Sequence, residues 1–255
     1  MKSNAIYKFQ LAEHKKSTAI FCLVILVILA FIPIYNELSL IFQFQNSSTI
    51  YISGLDIAPA VFLFICGLSA FKDNFRMALQ NGISRKSLFV NRIYVVLTLA
   101  VAMALFDQIV MILGKAVASL SANINYSGIL EQIYGSQFTT QSGGFLTGFE
   151  SFLFLIILFI TFLSLGYLIA VGLYRLDKKQ KVACIVGFYM VAFVIFPLID
   201  MFMASQLSTI LYQFLDFVMG ISAQNPLIGI FSLVIFSLIL NGLTWLFIGK
   251  AEVKN

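Results

Sequence analysis

Six apolar runs, each long enough to cross a bilayer, alternate along this chain with short clusters of basic residues. Of the 16 Lys and Arg residues, 15 lie in four segments: 1–17, 72–92, 175–182 and 249–255. Basic residues stay preferentially on the cytoplasmic side of an inserting protein, so the pattern assigns all four segments to that side. Six crossings with both termini in the cytoplasm meet this requirement. The sequence therefore predicts an integral, multi-pass membrane protein.

The composition excludes an ordinary soluble domain. Apolar residues make up 60% of the 255 positions and charged residues 11%, whereas soluble chains have about 45–50% and about 25%. A net charge of +5 is compatible with nucleic-acid binding in principle. Here, however, the basic residues flank membrane spans, where anionic lipid headgroups account for them. We expect membrane lipid, and no nucleic acid, as a partner.

The predicted fold is an all-α membrane protein with one transmembrane domain over residues 1–255. Each run is close to the roughly 20 residues that cross about 30 Å of hydrocarbon. Ala100 with Ala104, and Gly166 with Ala170, are small residues four apart, which allow close helix packing. Pro197 is expected to bend or end span five. The predicted spans one to six are residues 18–35, 55–71, 93–113, 149–173, 183–203 and 227–248.

The first 16 residues predict an amphipathic helix in the inner membrane interface, before the chain turns into span one. Ile6, Phe9 and Ala12 recur at helical spacing, with Lys8 and Glu13 on the opposite side. Such a helix rests on the headgroup region. The alternative is a frayed tail.

Three outer segments follow from this topology. Residues 36–54 include Asn46-Ser47-Ser48, a glycosylation sequon that matters only in a secretory pathway. Residues 114–148 form the longest stretch outside the spans. In the segment 204–226, apolar residues from Leu207 to Val218 recur every three or four positions, which predicts a short amphipathic helix on the outer leaflet.

The inner loop 72–92, between spans two and three, has the pattern of a helix–turn–helix. Asn81-Gly82 supplies a stop, since both residues tolerate left-handed backbone. Ser84 can cap a second helix, Ser84–Val90, that leads into span three. One interpretation is a docking element for a soluble partner, with apolar residues such as Leu88 and Phe89 presented for contact. The other is a basic loop that only fixes topology.

This layout resembles the permease subunit of type-2 ABC exporters. The resemblance lies in the interface helix, the six spans, the short segment before span six and the loop pattern Arg76, Gly82, Ser84, Arg85. It implies that the loop is a coupling helix seated in a separate ATPase subunit, and that 207–219 is an outer hairpin capping the translocation path. The residues that correspond to the coupling element are Asn81, Gly82, Ile83, Ser84, Arg85 and Lys86.

The chain offers no evident site for catalysis. Gly114-Lys115-Ala116 lacks the upstream glycine and the hydroxyl residue of a P-loop. The single histidine, His14, leaves no basis for a His-based metal site or a Ser-His-Asp triad. We therefore expect no cofactor, no enzymatic activity in this chain, and ATP hydrolysis in a partner chain.

Four carboxylates fall toward the outer ends of the predicted spans: Asp56, Asp107, Glu150 and Asp200. A carboxylate at membrane depth costs about 2.5–3.5 kcal/mol at mid-helix and often marks a pathway. Asp107 is the most informative, because apolar residues flank it within span three. If the four converge, they form an acidic outer vestibule. The alternative is that Asp56, Glu150 and Asp200 are interfacial and hydrated.

Three function classes remain open from the sequence. The first is a permease half of an ABC exporter in the bacterial plasma membrane, working with a second copy or a homologous permease on an amphipathic cargo such as a peptide, lipid or drug. The second is an ion- or proton-coupled carrier, a class that usually shows internal repeats, and none is evident here. The third is a membrane sensor or assembly factor that transports nothing.

Overall fold

The structure is a computed structural model that describes residues 2–41, 50–120, 124–135 and 145–249. Nearly all of this part of the chain is helical. In chain order the elements are α1 Lys2–Ile41, β1 Ile50–Ser53, α2 Ile57–Ser69, α3 Lys72–Gln80, α4 Arg85–Leu120, β2 Ile124–Ser127, α5 Ile129–Ile133, α6 Phe145–Arg175, α7 Lys178–Met190, a π-helical segment Val191–Ile195, α8 Phe196–Phe202, α9 Gln206–Met219 and α10 Pro226–Gly249.

Six helical stretches in these ranges are long and apolar enough to cross a membrane, which confirms the predicted number of spans. Each helical stretch overlaps one predicted span and extends beyond that span at one or both ends. The architecture is that of a multi-pass membrane protein. Spans one to six are Ala5–Tyr35, Ile57–Gln80, Arg85–Ser119, Thr147–Arg175, Lys178–Phe202 and Pro226–Gly249.

The N-terminal residues do not form a separate interface helix. They continue without a break into span one as the 40-residue helix α1, because extending an existing helix costs less than nucleating a new one. Its buried face is Ile6, Gln10 and His14, while Phe9 is 48% exposed. The predicted apolar face is therefore wrong in part, and the buried face packs on protein.

The core lies between α2, α4 and α6. Its central side chains, such as Leu63, Met103 and Phe159, are fully buried. Ala100 and Ala104 are also fully buried there, as their small size predicted. A Cβ atom added to Gly166 would collide with the carbonyl oxygen of Phe64. Glycine at that position is therefore what allows α2 and α6 to approach backbone to backbone.

Span five lies apart from this core. None of its most apolar window is buried, and Phe193 is 70% exposed. Pro197 neither ends nor simply bends the helix. The backbone instead widens into the π-helical turn Val191–Ile195 immediately before it. Proline has no N–H, and its ring clashes with the carbonyl four residues earlier, so a local change of helical register accommodates it.

The segment after span five contains the predicted amphipathic helix, observed as α9. Ser205 and Gly220, at its two ends, both have left-handed backbone (φ +63° and +66°). The predicted stop at Gly220 is confirmed. α9 packs on α8 and on the start of α10.

The described chain is almost entirely helical, as predicted, and two short strands that the prediction did not include are added to the helices. β1 and β2 pair in parallel, with Ile50 opposite Ile124 and Ser53 opposite Ser127. Four-residue strands are too short for alternation to distinguish them from loop in the sequence. The Asn46 sequon lies outside the described residues.

The described parts of all four basic segments lie at one end of the helix bundle. Glu13 of α1 accepts a hydrogen bond from Asn74 of α3, Arg85 of α4 contacts Gly249 of α10, and Arg175 of α6 lies over the ring of Phe247. We call this the basic end. Lys115 lies near the other end of the long helix α4, next to β2 and α5, and we call that the opposite end.

Candidate functional site

The loop between α3 and α4 is a sharply turned, hydrogen-bonded elbow at the basic end. The N–H of Gly82 donates to the carbonyl of Leu79 (3.0 Å) and that of Ile83 to the carbonyl of Ala78 (2.9 Å). This pair of bonds satisfies the last carbonyls of α3 and requires a left-handed residue, which Gly82 supplies with φ +67°. The predicted stop at Asn81-Gly82 is confirmed.

The second arm of the elbow starts at Ser84, as predicted. The Ser84 hydroxyl accepts a hydrogen bond from the N–H of Ser87 (3.2 Å), and its carbonyl accepts one from the N–H of Leu88 (3.0 Å). This is the arrangement of an N-cap. The helix that follows is not the short Ser84–Val90 piece expected, since it runs unbroken through span three as α4.

Residues at the tip of the elbow are exposed, whereas a residue at its base is buried in a hydrophobic cluster. Asn81, Gly82, Ser84 and Lys86 are exposed. Leu88 is 1% exposed, so the prediction that it is presented to a partner is wrong. The hydrophobic cluster beneath the elbow takes it up, because it lies on the face of α4 that turns inward.

Arg85 differs from the other residues of the predicted coupling element. Its Nη1 donates to the carbonyl of Gly249 at 2.5 Å, at the C-terminal end of α10. A guanidinium there also interacts favourably with the negative end of the helix dipole. Phe89, one turn further along α4, packs on the ring of Trp245 at 5.3 Å. The elbow is thus fastened to span six.

A buried polar cluster fastens the elbow to α1, and sequence reasoning missed it. Asn74 donates to Glu13 Oε2 at 2.6 Å and to the Ala70 carbonyl at 2.7 Å. Arg92, 2% exposed, lies 3.4 Å from His14 Nε2 and stacks on the ring of Tyr167. Its α1 members, Glu13 and His14, are adjacent in the sequence, so helical spacing gave no signal for the cluster.

At the opposite end, the structure brings together two of the four predicted carboxylates. Asp56 and Asp107 are each 3% exposed, and they lie close enough for their charges to interact. The N–H of Ile129 donates to Asp56 Oδ2 at 2.5 Å. Both carboxylates lie inside protein, which is the placement expected of a functional group rather than an interfacial one.

Tyr126 of β2 lies beside this carboxylate pair. Its hydroxyl is buried and has no hydrogen-bond partner within the described residues. Burial, followed by the charges of Asp56 and Asp107, raises the pKa of the Tyr126 phenol. Gly114 makes room for the ring, since a Cβ added there would lie 2.5 Å from it. The phenol therefore keeps an unused donor beside two carboxylates.

The other two predicted carboxylates do not join the pair. Asp200 Oδ1 accepts the N–H of Ser208 at 2.8 Å and so caps the first turn of α9. Glu150 is half-buried on α6, with no contact to the pair in the described part of the chain. The predicted four-residue vestibule is thus reduced to Asp56 and Asp107.

Two further contacts close the opposite end. Lys115 and Glu131 form a salt bridge at 2.5 Å that ties α4 to α5. The Tyr134 hydroxyl donates to the Met219 carbonyl at 2.5 Å, and Gly229 of α10 approaches the same hydroxyl closely. The α9 helix is therefore joined to α5 and α10 at its C-terminal end.

The described residues contain no group of three or more His, Cys, Asp or Glu side chains arranged to hold a metal ion. Comparison with protein-family models, with curated proteins and with solved structures gives no match for this chain.

Proposed function

We propose that this chain is the permease subunit of a type-2 ABC exporter. The elbow is the main support for this proposal. Its tip is exposed and polar, and hydrogen bonds hold its base to spans one and six. A loop that only fixes topology needs positive charge, but it needs neither the hydrogen-bonded turn nor these anchors. The partner is a separate ATPase subunit that receives Asn81–Lys86 at the basic end, with Arg85 acting as the anchor at its base.

Helix α4 supplies the mechanical link. It begins at the elbow and continues through 36 residues, a length of about 54 Å. Asp107 and Gly114 lie along it near the far end, beside Asp56 and Tyr126. When ATP binding closes the ATPase subunits, a displacement of the elbow is carried along a single rigid element to the opposite end. ATP binding shifts the pathway towards the open state only if the open and closed arrangements of the complex differ in their affinity for ATP.

The proposed cargo is amphipathic, and the surfaces of the spans support this proposal. They are apolar and rich in aromatic side chains, with 27 Phe and 10 Tyr in the chain, which suits an amphipathic peptide, lipid or drug-like molecule. A second permease copy, or a homologous permease, completes the pathway. The basic end faces the cytoplasm of a bacterial plasma membrane, in keeping with the placement of basic loops.

Co-purification tests the docking role. The tagged chain is expressed in its native host, and any P-loop ATPase that it retains is identified and measured by mass spectrometry. Asn81→Glu with Lys86→Glu is expected to lower retention at least tenfold, since both side chains are exposed at the tip. Arg85 is left intact because its loss would disturb α10. Lys8→Glu with Lys15→Glu, two exposed sites on α1, is the control.

Equal retention of the ATPase by the tip variant and by the control would contradict the docking role. ATPase activity of the complex in vesicles provides a second readout, and it should fall together with retention. Unchanged thermal unfolding of the permease alone confirms that the elbow itself is intact.

The carboxylate pair favours a second candidate, a proton- or cation-coupled carrier. Two buried acids beside an unpartnered phenol form a site that can hold a proton or a monovalent cation. Transport in vesicles distinguishes the two proposals. An ABC exporter requires ATP and continues after an ionophore collapses the ion gradient, whereas a carrier stops. Under the carrier proposal, Asp107→Asn abolishes transport.

A further inference from the structure

A basic cavity of about 310 Å³ opens at the basic end, away from the elbow tip. Two loops about a hundred residues apart in sequence build it. Lys72 and Arg76 of α3 form one side, and Lys178 and Lys181 at the start of α7 form the other. The preference for basic cytoplasmic loops explains why each loop is positive, but not why the two converge on a single cavity.

The charge in this basic cavity calls for an anion. Four cationic side chains line it, against one carboxylate, that of Asp177. The Asp177 N–H donates to the Gln180 side chain at 3.0 Å in the capping turn of α7, so this acidic residue also helps to shape the helix start. Lys72, Arg76 and Lys178 are exposed and Lys181 is partly buried, so the positive charges surround an open cavity.

The cavity lies at the adjoining ends of spans four and five, the level at which a lipid headgroup layer would meet the helices. It lies where α6 ends, where α7 begins, and at Lys72, just after the buried Phe71 that follows α2. Tyr174, at its wall, packs edge-on against the rings of Phe71 and Phe75. A tyrosine with an apolar body and a polar tip is typical of this layer.

An apolar surface continues from the cavity along span five. Val182, Ile185 and Val186 follow Lys181 on α7 and are 61%, 47% and 54% exposed. A molecule with an anionic head and hydrocarbon chains can occupy both surfaces at once. A free phosphate uses only the first, and so does an acidic segment of a soluble protein.

We propose that the basic cavity formed by Lys72, Arg76, Lys178 and Lys181 is a binding site for the phosphate headgroup of an anionic membrane lipid. Its acyl chains lie along the exposed face of α7. Bound there, the lipid bridges α3 and span five, which line opposite sides of the cavity. The inference does not depend on the permease proposal.

Native mass spectrometry of the purified, delipidated chain tests the site, with phosphatidylglycerol, phosphatidylcholine and inorganic phosphate as probes. Phosphatidylglycerol is expected to bind at least tenfold more tightly than phosphatidylcholine. Arg76→Gln with Lys181→Gln should weaken phosphatidylglycerol binding about 30-fold, since each basic residue near the surface contributes about fivefold. Lys8→Gln with Lys15→Gln removes the same charge elsewhere and should change binding less than about threefold.

Three results would overturn the proposal. Equal losses of affinity in the cavity and control variants would indicate general surface attraction. Binding of inorganic phosphate as tight as that of phosphatidylglycerol would indicate a free-anion site. Displacement of the lipid by a soluble acidic peptide at equal concentration would indicate a protein-docking site. If the first cavity variant does not fold, Lys72→Gln with Lys178→Gln replaces it.

Discussion

Spans four and five are equally apolar, yet they occupy opposite extremes of packing. Half of the most apolar window of span four is buried in the protein, and none of that of span five is. Hydropathy decides whether a helix enters a bilayer, because it measures transfer from water to hydrocarbon. It does not decide whether that helix then leaves lipid for a neighbouring helix, since lipid tails are as apolar as the side chains.

The two spans differ in what a glycine on each of them contacts. Gly166 of span four faces Gly67 of span two, and the two backbones touch there. Gly187 of span five has no atom within 4 Å of where its Cβ would be. Close backbone approach maximises van der Waals contact, which is the main attraction available between helices in lipid. A glycine without a partner therefore contributes nothing to packing.

The largest expected effect comes from filling the glycine contact. Gly166→Val should destabilise the fold by about 4 kcal/mol or more, since the new side chain meets backbone that cannot move aside. Gly187→Val, the matched control in span five, should lie within about 0.5 kcal/mol of wild type. Unfolding in mixed micelles by added SDS, followed by circular dichroism, measures both. Equal losses of stability at the two sites would show that the glycine contact does not account for the different packing of spans four and five.

Truncation of one phenylalanine in each span gives the next largest difference in stability. Phe159 in span four is fully buried and Phe193 in span five is 70% exposed. Phe159→Ala should cost about 3 kcal/mol, because the neighbours cannot close the space. Phe193→Ala should cost about 0.5 kcal/mol or less for the isolated chain, since lipid or detergent fills the gap.

The same titration serves for this pair, with fluorescence of the single Trp245 as a second probe. A large loss for Phe193→Ala would mean that span five is packed against protein under the conditions of measurement. That outcome would contradict the separation of span five from the core.

Features set by local chemistry were predictable from the sequence. Asn81-Gly82 and Ser84 define the elbow because turn and cap preferences act over four residues. The number of spans follows from hydropathy in the same local way. The unbroken α1 was not predictable from its charge pattern, since His14 is buried beside Arg92, a residue distant in the sequence.

The carboxylates show the same limit at the opposite end. The sequence singled out Asp107 by its apolar flanks, but it gave no reason to pair Asp56, rather than Glu150 or Asp200, with it. The pair forms because α5 and β2 fold over it, and the Ile129 N–H and the Tyr126 ring reach it from there. Hydropathy contains no information on how an outer segment folds back over the spans.

The smallest expected effect tests whether polar contacts add to the packing of span four. Asn241 of α10 donates to the Ser164 hydroxyl at 3.1 Å and to the Ser237 carbonyl at 2.8 Å. The first bond joins two helices and the second lies within one helix. Interhelical bonds in membranes contribute about 0.6 kcal/mol on average, because the unfolded chain also finds partners.

A double-mutant cycle of Ser164→Ala and Asn241→Leu should therefore give a coupling energy of about 0.6 kcal/mol. Asn241→Leu alone also removes the bond to Ser237, and the cycle cancels that contribution. A coupling above about 2 kcal/mol would show that polar contacts, rather than the glycine contact, hold span four in the core. A value near zero leaves the backbone approach at Gly166 as the feature that separates a packed span from one left in lipid.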